Sequence, residues 1–327
     1  MRGFTFSTGS QRGIVLLLVL WILSILMVIA MSFSFITRTD AYSALAFKAG
    51  VENRFLAEAG IERGIMELVY RGVNRGQTVT LGGMEVLKTD GRAYEGRLGD
   101  GSYQFRITDE SGKININALT DASGIVMKNL LTQAGVSAEN ADVIVDSLLD
   151  WKDPDDLHRL HGAESDYYLS LPNPYRAKDA RFDTVEELLL VRGVTPEILY
   201  GEGEKKGIIR CLTALQETSF GINVNAAPRE VLMAIPGMTA DLADLVIAGR
   251  ESDDPAARQT AAASLQVGLG QNYALVSSFI RTGDSTTFTI EATGFRESEK
   301  KGYPIRAVVA FEGNQHRYLY YRSPADR

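Results

Sequence analysis

From Ile14 to Ile36 the chain runs 23 residues without Asp, Glu, Lys or Arg, and nothing else in its 327 residues constrains the fold as strongly. A helix of that length crosses a hydrocarbon core of roughly 30 Å. A secretory signal would have an apolar core of about 7–15 residues before a small-residue cleavage site, whereas this run is longer and closes on Phe33, Phe35, Thr37 and Arg38. A core helix of a soluble domain would not be apolar on every side so near a terminus. The run reads as a membrane span. Arg2 and Arg12 precede it with no acid among the first 13 residues, and positive flanks stay cytoplasmic, so the remaining ~290 residues are expected across the membrane.

That exported part is large enough for two domains of ~100–200 residues each. A net charge of −7 and a pI of about 5.2 argue against a large phosphate-binding surface, because nucleic-acid domains are usually basic. A single cysteine, Cys211, allows no internal disulfide, so stability must come from packing or from a bound metal. With only His158, His161 and His316 besides, a Cys/His zinc cluster is not expected.

Beyond the span, AYSALAFKAGVENRFLAEAGIERGIMELVYRG keeps a helical rhythm, with Phe47, Val51, Phe55, Ala59, Met66 and Val69 at steps of three and four. Gly72, Asn74 and Gly76 supply the stop. One helix from about Ile14 to Tyr70 is expected. Alternation in TVTLGGMEVLKTDGRAYEGRLGDGSYQFRITDESGKI then signals short antiparallel strands, and it resumes in TTFTIEATGF, YPIRAVVAFEG and QHRYLYYR. Between them lies a helix-rich middle. The pattern predicts an α+β fold whose sheet is interrupted by a large helical insertion.

The insertion echoes itself. GKININAL (Gly112 to Leu119) and GINVNAAP (Gly221 to Pro228) share an Ile-Asn-apolar-Asn-Ala core, and each precedes an apolar helix, a Gly turn and a second helix. The Asn side chains are expected to bond nearby backbone in turns and caps. TVEELLLVRGVTPEIL and AIPGMTADLADLVI further resemble helix-hairpin-helix units, whose loop amides can grip a DNA backbone. The flanking basic residues are missing, since Arg229, Glu230, Asp241 and Asp244 are the charges near Gly237. Packing is the expected role.

The densest polar stretch is DWKDPDDLHRLHGAESDYY, with Asp150, Asp153, Asp155, Asp156, Glu164 and Asp166. Closely spaced Asp followed by a Glu about ten residues on suits a hard cation, because Ca²⁺ takes oxygen ligands. The spacing is not an EF-hand: Pro154 interrupts it and the required glycine is absent. The competing reading is a solvated acidic loop with Asp155 or Asp156 capping a helix. Like charges crowded in a folded loop are costly unless neutralised, which favours calcium. No Gly-x-Ser-x-Gly elbow, phosphate loop or Cys–His pair suggests an enzyme.

Together, Gln11-Arg12-Gly13 before an apolar helix, GKININAL, LLDWKDPDD…GAESDYY, ARFDTVEELLLVRGVTPEILYG and INVNAAPREVLMAIPGM resemble general secretion pathway protein K, the large minor pseudopilin of type II secretion. The resemblance implies a prepilin that a specialised peptidase cuts between Gly13 and Ile14 and then methylates. It implies a pilin-like fold, a long N-terminal helix on an antiparallel sheet with an all-α insertion, and calcium at some of Asp150, Asp153, Asp155, Asp156 and Glu164. It also implies assembly with I- and J-type minor pseudopilins and an inner-membrane secretion platform, without nucleic acid, on the periplasmic side of a bacterial inner membrane. The expected divisions are leader 1–13, membrane helix 14–36, stem and first strands 37–112, inserted domain 113–277 and last strands 278–327. Most pilins and pseudopilins carry Glu at the fifth residue after the cut, where this chain has Leu18, as protein K characteristically does. That glutamate looks suited to the amino terminus of the subunit above, so Leu18 implies a filament tip with nothing above it. Alternatives from the sequence are a type IV minor pilin and a membrane-tethered DNA-binding protein.

Overall fold

The computed structural model describes residues 12–73, 87–216, 219–251, 263, 265–270, 273–281, 285–296, 302–313 and 315–325. Residues 1–11 of the expected leader, the stop signals Asn74 and Gly76, and the strand-like Thr78 to Val86 lie outside them.

Helix α1 (Arg12–Val73) contains no proline and continues unbroken for 62 residues, roughly 93 Å at 1.5 Å per residue. Its most apolar 18-residue window has a mean hydropathy of 3.2, and none of that window is buried by the rest of the chain. The hydroxyls of Ser24, Thr37 and Thr39 each donate 2.9 Å bonds to carbonyls four residues back, at Leu20, Phe33 and Phe35. The helix thus satisfies these hydroxyls with its own carbonyls.

The chain then forms β1 (Asp90–Leu98) and β2 (Gly101–Asp109), makes a long excursion, and returns as β9 (Thr287–Arg296), β10 (Tyr303–Glu312) and β11 (Gln315–Arg322). These five make one antiparallel sheet in the order β1-β2-β9-β10-β11. Alternate residues line one face. Phe105 pairs with Ala292 and Ile107 with Ile290, and across the next ladder Ala292 pairs with Ile305 and Ile290 with Ala307. All six are buried against Ala57, Ile61, Ile65 and Leu68 of α1. Gly60 and Gly64 let the helix approach closely, since a Cβ would lie 2.9 Å from Ala292 Cβ and from Ile290 Cγ2 respectively.

Of the stripe read from periodicity, Val69 packs against the sheet's core but the aromatics do not. Phe47 (75% exposed), Phe55 (62%) and Met66 (65%) point to solvent, while Ala57, Ile61, Ile65 and Leu68 are buried. The lower half of α1 therefore carries apolar residues that the sheet does not cover: Phe55 and Met66 on another side of the helix, and Phe47 five turns before Ile65.

The excursion has its own core. It contains β3 (Ile114–Asn115), α2 (Gly124–Gln133), α3 (Ala138–Lys152), α4 (Ser165–Leu169), α5 (Pro196–Tyr200), β4 (Gly201–Glu202), β5 (Lys205–Lys206), β6 (Leu212–Thr213), β7 (Ile222–Asn223), α6 (Arg229–Ala234), α7 (Ala240–Glu251) and β8 (Ile280–Arg281). It is predominantly helical, laced by two-residue ladders. The echo holds in detail: Asn115 and Asn223 each accept a 3.1 Å bond from the amide two residues on, and the motif's Ile-Asn pairs in parallel with β6 in one copy and β8 in the other. The helix pairs α2/α3 and α6/α7 turn at Gly135 (φ +92°) and Gly237 (φ +80°), a region L side chains rarely enter. α2 also packs on α6, where Asn129 Nδ2 donates 2.9 Å to the Ala234 carbonyl.

A buried polar knot fastens the insertion where it leaves the sheet. Asp109 accepts from the Ser111 amide (2.9 Å), the Ser111 hydroxyl (2.6 Å) and Ser285, while Asn223 Nδ2 donates 3.1 Å to Ser111 Oγ and to Ser285 Oγ. Beside it Lys113 Nζ lies 2.5 Å from Glu110 Oε1, which also accepts 2.7 Å from Thr289 Oγ1. The knot joins the end of β2, Ser285 two residues before β9, and the second copy of the motif.

Candidate metal centre

Helix α3 begins at an N-cap, Ser137, whose Oγ accepts from the Asn140 amide at 3.3 Å, and ends on the acidic stretch. Its last turn puts Trp151 into the core, edge-on to Tyr168 at 5.1 Å and stacked on Phe182 at 6.5 Å. Asn117 clamps the Phe182 backbone, accepting from its amide at 2.8 Å and donating to its carbonyl at 2.9 Å. Lys152 Nζ donates to the carbonyls of Ile116 (3.3 Å), Asn117 (3.1 Å) and Leu119, and its burial lowers it to about 8. The two signature stretches, ININAL and LLDWKD, thus hold each other in place.

This framework fixes two carboxylates inside the protein. Asp150 is fully buried and Glu164 is 1% exposed. Both oxygens of Glu164 and Oδ1 of Asp153 are buried with no hydrogen-bond partner. Burial, reinforced by the charges of Asp150, Asp153, Asp179 and Asp156, pushes the Glu164 carboxyl up to about 7. A buried carboxylate with neither donor nor counter-charge is a costly arrangement, and a cation would relieve it.

One cation is already present. Arg159 Nη1 lies 2.7 Å from Asp150 Oδ1 and 2.5 Å from Asp153 Oδ2, and its Nε lies 2.8 Å from Asp121 Oδ1. Burial alone would lower its guanidinium, but the bonds to Asp121, Asp153 and Asp150 hold it above the ordinary arginine value. Burial likewise raises Asp150, against the pull of Arg159. Gly162 sits so close that any Cβ there would collide with Asp150 Oδ2.

Of the five residues expected from the sequence, Asp150, Asp153 and Glu164 are drawn inward together. Asp155 and Asp156 stay exposed. Asp155 Oδ1 accepts 2.9 Å from the Leu157 amide as a turn, and no helix follows it until Ser165. Among the described residues no three Asp, Glu, His or Cys side chains converge as a closed ligand shell. The Arg159 guanidinium sits between Asp150 and Asp153. His158 Nε2 lies 3.1 Å from Asp166 Oδ1, on the exposed side. Sequence reasoning missed Arg159, Asp121 and Gly162. The lone arginine inside an acidic run was the available signal.

Among the described residues, the basic side chains near the Gly237 turn are paired with acids. Arg229 is taken by Asp244 at 2.6 Å and Arg210 by Glu230 at 2.6 Å. That geometry favours packing over DNA binding.

A long apolar stem on an antiparallel sheet with a helical insert defines a pilin-like protein. Residues 112–200 match the family described as type II secretion system (T2SS), protein K. Curated relatives agree: the putative type II secretion system protein K of Escherichia coli (strain K12) is 25% identical over 224 residues, and the type II secretion system protein K of Pectobacterium carotovorum subsp. carotovorum is 27% identical over 227. Each alignment spans 66% of this chain and 66% of the relative, so the chain spans just under two thirds of their length. The fold is that of a chain in the crystal structure of the GspK-GspI-GspJ complex from the enterotoxigenic Escherichia coli type 2 secretion system, with a TM-score of 0.65 and 16% identity, covering 88% of this chain and all of that one. The resemblance to type II secretion protein K is borne out, and the type IV pilin and DNA-binding alternatives are not favoured.

Proposed function

We propose that the chain is a non-enzymatic minor pseudopilin at the tip of a type II secretion pseudopilus, supporting export of folded proteins across the outer membrane. The observation that carries this reading is the protein K domain inserted between β2 and β9 of a pilin-like sheet, on a stem whose first half is lipid-soluble. Such an insert crowds the end of a filament. The exposed Phe47, Phe55 and Met66 leave the lower stem an apolar face for neighbouring stems, in keeping with I- and J-type partners. Leu18, 55% exposed on the helix, offers no carboxylate to a subunit above. The globular part would lie in the periplasm. Deleting the chain should leave cargo in the periplasm and restoring it should release cargo; normal export without it would refute the role.

The divisions we propose are those read from the sequence: leader 1–13, membrane helix 14–36, stem and strands 37–112, insert 113–277 and closing strands 278–327. Replacing Gly13 by a bulky residue should leave an uncut precursor in the membrane. N-terminal sequencing that still begins at Ile14 in that variant would refute the cut between Gly13 and Ile14.

For the metal, hard oxygen donors and an orphaned buried carboxylate fit Ca²⁺. Asp150, Asp153 and Glu164 would hold it, with Asp156 at the rim and Asp155 shaping the loop. The ion supplies the positive charge that Glu164 lacks. Binding only the folded state at a hundredfold excess over Kd stabilises by about 2.7 kcal/mol. Melting of the full chain in detergent should therefore rise with calcium, and Asp153→Ala with Asp155→Ala should abolish that rise. Equal melting with calcium and with chelator would return the stretch to a solvated loop.

A further inference from the structure

We propose that Arg159 is an internal counter-ion that competes with the metal: its guanidinium holds the Asp150–Asp153 pair in the metal-free protein and must leave when a divalent cation binds. The proposal rests on the calcium reading above and concerns how the chain's own cation shares those carboxylates.

Geometry carries it. One Arg159 nitrogen, Nη1, contacts both Asp150 Oδ1 and Asp153 Oδ2, so it occupies the space between two carboxylates that a cation bridging them would need. Glu164 is left over, buried with both oxygens unpartnered. A single guanidinium therefore satisfies only part of the anionic set, whereas a divalent cation with several oxygen ligands would satisfy the pair and Glu164 at once. Two cations cannot share the gap. Asp121 offers the displaced side chain a partner: it already accepts from Arg159 Nε at 2.8 Å and is itself 79% exposed. The guanidinium can swing outward on Asp121 without losing every bond. The Arg159 amide donates to Asp150 at 3.3 and 3.4 Å, so the backbone can stay in place while the side chain alone moves, past Leu160, which is 89% exposed.

The test uses the full chain in detergent, stripped of metal, titrated with calcium chloride by calorimetry and melted with and without it. Arg159→Gln should bind calcium at least tenfold more tightly than wild type and melt lower without metal. Arg159→Lys keeps the charge but loses the fork and should fall between, which covers the case in which the glutamine variant folds poorly. Arg181→Gln removes a nearby charge whose Nη1 donates 2.8 Å to the Gln216 carbonyl outside the carboxylate pair, and should leave affinity within twofold. Equal or weaker calcium binding by Arg159→Gln would overturn competition while leaving the calcium reading intact. Equal tightening by Arg159→Gln and Arg181→Gln would also overturn it, reducing the effect to net charge. Binding by Arg159→Gln when wild type shows none would support it most strongly. No binding by either protein would refute both readings.

Discussion

Replacing Lys113 by Met will destabilise the protein by about 3–5 kcal/mol, because it leaves Glu110 buried without a counter-charge. Lys113 and Glu110 are only 7% and 3% exposed, so bulk solvent does not screen the charge left behind. Burial would raise Glu110, but the Lys113 charge and the bonds from Lys113, Thr213 and Thr289 hold it below the usual carboxylate range. The pair's contribution is therefore present above the ordinary glutamate value and lost as the pH falls through the folded one. Replacing both residues by apolar ones should recover much of the stability, since the desolvation cost disappears with the charges. Chemical denaturation of the single and double variants checks this. A single variant within 1 kcal/mol of wild type would mean the knot at the insertion's root does not hold it.

The second large effect is a pH dependence of the metal-free protein. Glu164 ionises near 4.5 when unfolded and near 7 when folded. At about 1.36 kcal/mol per pH unit, its burial costs roughly 3 kcal/mol once both states are charged. The sign follows from proton binding: between those values the folded state holds the extra proton, so stability falls as the pH rises from about 4.5 to 7 and then stays low. Glu164→Gln should remove this fall and be the more stable form at pH 8 by up to about 3 kcal/mol. The difference between wild type and variant isolates Glu164 from other titrating groups. An identical pH dependence in both metal-free proteins would contradict the burial of an unpartnered carboxylate.

The elements legible in the sequence were those with a strong local period. The uncharged run, the alternation of β2, β9 and β10, and the repeated Ile-Asn-apolar-Asn-Ala motif each follow from backbone geometry and short-range hydrogen bonds. The covered face of α1 was not legible. Phe47, Phe55 and Met66 have the spacing of a core stripe as surely as Ala57, Ile61, Ile65 and Leu68 do, and only the sheet decides which stripe it covers. Size was misleading as well, since the close approach selected Ala57, Gly60 and Gly64 over the aromatics. At the acidic stretch, residue type pointed to a cation, but the partners did not follow from spacing. Arg159 reaches Asp150 nine residues back and Asp121 thirty-eight residues back, distances that only the packing of α3 against the ININAL segment brings together.

Reconstitution tests whether the chain caps a filament of minor pseudopilins with its inserted domain. The full chain should be co-expressed with the I-type and J-type minor pseudopilins of the same system and purified in detergent for native mass spectrometry. The account predicts one stable complex containing a single copy of each, with no assembly of this chain onto itself. Elution of the chain alone, or its incorporation in many copies along a filament, would contradict it.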